Sequence, residues 1–157
     1  MLLLVDDEEG LRRGLAVYLR HRGLSLREAG GLAEALALAG KHRPGWVVTD
    51  LKMADGSGLD LAAWLAARSW PSRVVLMTGY AGGSLLEGAP PTGVDLVLEK
   101  PVRPDLLVEK LASLGLRGGA PVGTASPPRR GEEGESRAAR ARRELRQALW
   151  ASDGVWR

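Results

Sequence analysis

The chain has 157 residues, room for one ordinary domain and a modest appendage. Hydrophobic residues make up 45%, charged residues 26% and aromatic residues 4%, with a net charge of +3 and neither Cys nor Phe. Leu, Val and Ala must therefore fill the core, and disulfide, thiolate and Cys-zinc chemistry are excluded. The basic excess is local: after residue 116, nine arginines face five acidic residues, whereas up to that point the two signs nearly balance.

The opening "MLLLV" contains one short apolar run, Leu2–Val5, too short for a signal peptide or a membrane span, and "DDEE" follows at once. A cytoplasmic protein without a membrane anchor is the expectation. Residues 8–21 form the first predicted helix, with Leu11, Leu15, Tyr18 and Leu19 at spacings of three and four and Gly23 as its stop. A strand over 24–29 and a helix over 32–41, with Leu32, Ala35, Leu36 and Ala39 on one stripe, come next. "WVVT" is the third strand, 59–67 the third helix and "RVVLM" the fourth strand. Between Thr78 and Asp95, Gly82, Gly83, Gly88, Pro90 and Pro91 surround only a few helix formers, so the fourth helix is expected to be short or frayed. "DLVL" is the fifth strand, and the last helix of the domain runs over 104–114 with its proline in the first turn. Strands alternating with helices predict an α/β domain, a doubly wound five-stranded parallel sheet covered on both faces.

The domain is expected to occupy 1–116. Residues 117–135, rich in Gly, Pro, Ser and charge, read as a flexible linker, and 136–157 as a short basic helix with Ala141, Leu145, Ala148 and Leu149 on one side. Trp150 on that arginine-rich helix leaves weak nucleic-acid binding open beside the plainer reading of a solvated basic face.

Ligands of an open parallel sheet bind outside the carboxyl ends of its strands. Those ends carry Asp6 and Asp7, then Asp50, then Thr78, then Glu99, Lys100 and Pro101. Carboxylates brought that close repel by about 4 kcal/mol per pair at 4 Å with an effective dielectric of 20. Lys100 can offset part of this, and a divalent cation the rest; an all-oxygen site suits Mg²⁺ or Mn²⁺. A remaining aspartate could attack phosphorus, with Lys100 and the cation holding the transferring oxygens.

With these residues in view, "LLVDDEE", "VVTDLKM", "GSGLDL", "VVLMTGY" and "DLVLEKP" resemble, in order and spacing, the receiver domain of two-component response regulators over residues 2–114. The resemblance implies a flavodoxin-like fold and a phosphorelay function: a sensor histidine kinase offers a phosphoryl group, Asp50 accepts it with Mg²⁺, and partner binding changes, with a homodimer as one outcome. It implies Asp7 and Asp50 as direct metal ligands, Asp6 as a ligand acting mainly through water, and the backbone carbonyl of Lys52 as the remaining protein ligand. Thr78 would be the switch hydroxyl and Lys100 the phosphoryl-stabilising lysine, and the domain would catalyse only its own phosphorylation and dephosphorylation.

Three positions depart from the family's pattern. Val97 stands where a Tyr or Phe usually pairs with the switch threonine, so the readout is expected to differ. Ala54 stands where the loop usually has proline, which predicts a less rigid turn. Lys52 and Tyr80, two residues past Asp50 and Thr78, would flank the phosphoryl group and are expected to obstruct the attacking water. "DGSGLD" and "TGY" resemble the redox-responsive branch of these regulators, and the tail resembles that branch's linker and the first helix of its Fis-like helix-turn-helix, cut short. The alternatives are a DNA-binding regulator with an incomplete helix-turn-helix and a Mg²⁺-dependent aspartyl phosphatase; the latter would want an acid where Lys52 stands.

Overall fold

The computed structural model of the protein describes residues 1–79 and 89–116. Tyr80, the helix formers of the expected fourth helix, the linker and the basic helix with Trp150 lie outside the described residues.

Strands β1 (Leu2–Val5), β2 (Leu26–Ala29), β3 (Trp46–Asp50), β6 (Arg73–Thr78) and β7 (Leu96–Glu99) form one parallel sheet in the order β2-β1-β3-β6-β7. Helices α1 (Glu9–His21) and α4 (Pro104–Ser113) cover one face, and α2 (Leu32–His42) and α3 (Gly58–Ala66) the other. Strand alternation sorts the core. Leu2 and Leu4 of β1 pack with Leu15, Leu19, Leu107 and Leu111, while Leu3 and Val5 pack with Ala35, Ala39, Leu61 and Leu65. The five strands are those expected from the sequence; β2 starts at Leu26 rather than residue 24, and helix ends differ by a residue or so.

Helix ends follow local chemistry. α1 stops at Gly23 (φ 78°), where the Leu24 N–H reaches the Leu19 carbonyl and the Gly23 N–H the Arg20 carbonyl, and α4 stops in the same way at Gly115. α3 opens with a capping box, Ser57 accepting from the Leu59 N–H and Asp60 from the Ser57 N–H. α2 has no cap of its own: Gly31 stands at its N-cap, and the Leu32 and Ala33 N–H groups donate instead to Asp55, over twenty residues away.

Asp55 belongs to an element absent from the sequence reading. β4 (Lys52–Met53) and β5 (Gly56–Ser57) pair as a small antiparallel hairpin, Lys52 opposite Ser57 and Met53 opposite Gly56, so that Ala54 and Asp55 form its turn. At Gly58 an added Cβ would run into the Asp50 carbonyl and crowd Leu76 and Thr49, which is why glycine stands there as the chain re-enters α3.

Candidate functional site

The order of strands along the sheet reverses between β1 and β3, and a crevice opens at the carboxyl ends of such a pair. Asp6 and Asp7 leave β1 there, and Asp50 ends β3 beside them. One oxygen from each of the three carboxylates can be chosen so that all lie within 4.8 Å of one another. Thr78 ends β6, buried, and its carbonyl accepts from the Lys100 N–H at 2.7 Å, which brings the turn after β7 over the same crevice. The Lys100–Pro101 peptide is cis.

Lys100 ties the cluster together. Its Nζ donates to Asp6 Oδ2 at 2.8 Å and to Asp50 Oδ2 at 2.9 Å. Asp6 is fully buried, and its other oxygen accepts from the Glu8 N–H at 2.9 Å. Burial, the dominant influence, pushes the Asp6 carboxyl above the usual carboxylate range; the hydrogen bond and charge of Lys100 pull the other way without offsetting it. For Lys100, burial disfavours the ammonium, but the hydrogen bonds to Asp50 and Asp6 outweigh it and raise its pKa above the ordinary value. The ammonium is thus secured while the carboxylates remain in excess.

That excess is a test of fit for a cation. Three close carboxylates with one ammonium carry surplus negative charge, and their donors are all oxygen, the set that suits a hard divalent ion. The residues present fit such an ion.

Among the sequence-predicted residues, Asp6, Asp7, Asp50, Thr78 and Lys100 meet at this end of the sheet. Lys52 lies exposed at the start of the hairpin. Val97, in the edge strand β7, packs with the apolar cluster under α2 and α3. Two groups escaped sequence reasoning. Arg12, on α1, donates from Nη1 to the Asp6 carbonyl at 2.7 Å and lies 3.7 Å from Glu28, so it anchors the acidic turn from behind. Ala54 donates its main-chain N–H to Asp7 Oδ2 at 2.8 Å. No side-chain signal could have revealed that bond. The turn expected to be less rigid without proline carries here a hydrogen bond that proline cannot make.

Comparison with known proteins agrees with this geometry. Residues 2–112 match the response regulator receiver domain. The chain is 35% identical over 114 residues to the photosynthetic apparatus regulatory protein RegA of Cereibacter sphaeroides, covering 73% of this chain and 62% of the relative. It is 34% identical over 110 residues to the acid tolerance regulatory protein ActR of Rhizobium meliloti, covering 70% and 57%. The chain thus matches about three fifths of the length of these relatives. A crystal structure of a Burkholderia pseudomallei response regulator with a phosphorylated aspartic acid, calcium ion and citrate superposes with a TM-score of 0.63 at 32% identity, covering 73% of this chain and 69% of that one. The fold, the strand-end constellation and these matches lead to one conclusion: the chain belongs to the response regulator receiver domain family of two-component systems.

Proposed function

We propose that Asp50 is the phospho-acceptor of this receiver and that Asp6, Asp7, Asp50 and the Lys52 carbonyl hold Mg²⁺ or Mn²⁺. The observation that carries the reading is the bridge from Lys100 Nζ to both Asp6 and Asp50 inside the carboxylate triad. A carboxylate oxygen of Asp50 attacks the phosphorus of a phosphohistidine on a partner kinase. The new P–O bond forms as the P–N bond breaks, and the electron pair leaves on the imidazole nitrogen. Lys100, already positioned on Asp50, holds an oxygen of the incoming group. A bound divalent cation supplies neutralisation of phosphoryl and carboxylate charge. Thr78, buried at the end of β6, donates its hydroxyl to an oxygen of the phosphorylated product. The domain so acts in phosphotransfer signalling rather than in turnover of a free substrate, and its place is the cytoplasm, where a kinase partner meets it. Among the described residues no helix is long and apolar enough to cross a membrane.

Incubation with acetyl phosphate, with and without Mg²⁺, followed by intact mass tests this. The wild type is expected to gain one phosphoryl group only with Mg²⁺, and Asp50→Asn none. A wild type that stays unmodified with Mg²⁺ refutes the reading. Lys52→Ala is expected to hydrolyse the aspartyl phosphate faster; an unchanged decay rate would show that Lys52 does not shield it.

A further inference from the structure

The β4–β5 hairpin is held from two sides, by the N-terminus of α2 and by Asp7 of the triad, through two of its own turn groups that belong to neither the triad nor its lysine. On one side the Asp55 carboxylate accepts from the Leu32 N–H at 2.8 Å and the Ala33 N–H at 2.9 Å, supplying α2 with the cap that Gly31 lacks. On the other, the Ala54 N–H donates to Asp7 Oδ2 at 2.8 Å. The hairpin's base is closed by Ser57 Oγ and the Gly58 N–H, both donating to the Leu51 carbonyl, at 2.9 and 3.0 Å. Asp55 and Ala54 are adjacent in the turn, so the N-terminus of α2 and one carboxylate of the acidic cluster are joined through a single short strap.

Two further observations show that the chain is shaped around this strap. A Cβ at Gly31 would come within 2.7 Å of Asp55 Oδ1 and 2.8 Å of Oδ2, so the absence of a side chain at 31 is what lets the carboxylate seat on α2. The two N–H groups also hold the Asp55 carboxyl below the ordinary carboxylate range.

We propose that Asp55 and the main-chain N–H of Ala54 are positioning groups for the acidic cluster, which pin the hairpin between α2 and Asp7 and thereby set the affinity of the carboxylates for a divalent cation. The inference rests on the reading of Asp6, Asp7 and Asp50 as a cation site. Its physical basis is that a ligand carboxylate held in one orientation before the ion arrives loses less freedom on binding, and that partners which orient such ligands commonly govern affinity by about 10- to 100-fold. Where proline occupies the position of Ala54, no N–H exists and Asp7 must be oriented in another way. In this chain the orientation is delegated to the strap.

Mn²⁺ binding to the full chain, read from loss of the free-ion electron paramagnetic resonance signal, tests the inference beside thermal melting in chelator. Asp55→Ala is expected to weaken Mn²⁺ binding about tenfold, and Asp55→Asn, which keeps one acceptor oxygen of two, by less. Ala54→Pro, which deletes the N–H on Asp7 while also fixing φ at residue 54 and restricting Met53, should weaken it comparably. The double variant should be little worse than either single, because both act through one strap. If Asp55→Ala lowers the melting temperature but leaves Mn²⁺ affinity within twofold of wild type, Asp55 is a helix cap only and the inference is overturned. Should Asp55→Ala fail to fold, Ala54→Pro leaves the α2 cap in place and decides alone: unchanged affinity there overturns the inference equally. A wild type that binds no Mn²⁺ removes the cation reading itself, a result distinct from equal binding by wild type and variants.

Discussion

The two ends of the sheet are built on different terms. At the carboxyl end, Asp6, Asp7, Asp50 and Lys100 crowd together, and each of these side chains is placed by a named hydrogen bond. At the amino end, where α2 and α3 run out, Trp64 and Trp70 meet edge to face at 5.4 Å, with Arg68 stacked 3.6 Å over Trp64 and Arg43 5.3 Å over Trp70. Ring stacking and cation–π contact tolerate small displacements, whereas the directional hydrogen bonds that hold crowded carboxylates do not. Single-atom changes should therefore be costly at the first end and mild at the second.

Lys100→Met should show the largest effect. It leaves both carboxylates without their shared ammonium and is expected to slow phosphorylation by acetyl phosphate by about a hundredfold, the scale for losing one charge-stabilising donor. A loss of less than tenfold would assign the stabilisation to other groups. Next comes a paired test of the two ends. Gly58→Ala forces a methyl against the Asp50 carbonyl and should cost about 1 to 3 kcal/mol in urea unfolding, whereas Arg68→Ala, removing an exposed stacked cation, should cost about 0.5 to 1 kcal/mol. Equal costs would erase the contrast.

The smallest effect concerns pH. Asp55 has a folded pKa below its unfolded value, so the stability it contributes is fully present above the unfolded carboxylate pKa and is lost as pH falls through the folded one. The difference in melting temperature between wild type and Asp55→Asn should accordingly be largest near neutral pH and shrink in acid below about pH 4. A difference that stays constant into acid would show that the Asp55 charge is not what holds α2.

Much of this protein was legible in order along the chain. Short apolar runs alternating with helix-period segments identified β1, β3, β6, β7 and the four described helices, because burial on both faces of a parallel sheet imposes such runs, while the edge strand β2, with Arg27 and Glu28 at its middle, left only a weak signal. Asp6, Asp7, Asp50, Thr78 and Lys100 were legible as well, since each directly follows or ends a strand, and parallel strands deliver all their carboxyl ends to one edge. The hairpin was not. Its strands are two residues each, shorter than any periodicity can register, and its turn is made by Ala54 and Asp55. Arg12 was hidden for another reason: its donor acts on a backbone carbonyl, which every residue carries alike.

By itself, then, the sequence determined which side chains stand at the carboxyl edge and what charge they bring there, because strand periodicity and chain order are local properties. Only the tertiary structure decided how those charges are held. The bonds from Ala54 to Asp7 and from Asp55 to α2 join segments that are distant along the chain and meet only when β1 and β3 lie side by side. Half of their partners are main-chain N–H groups, which carry no mark of identity in the sequence.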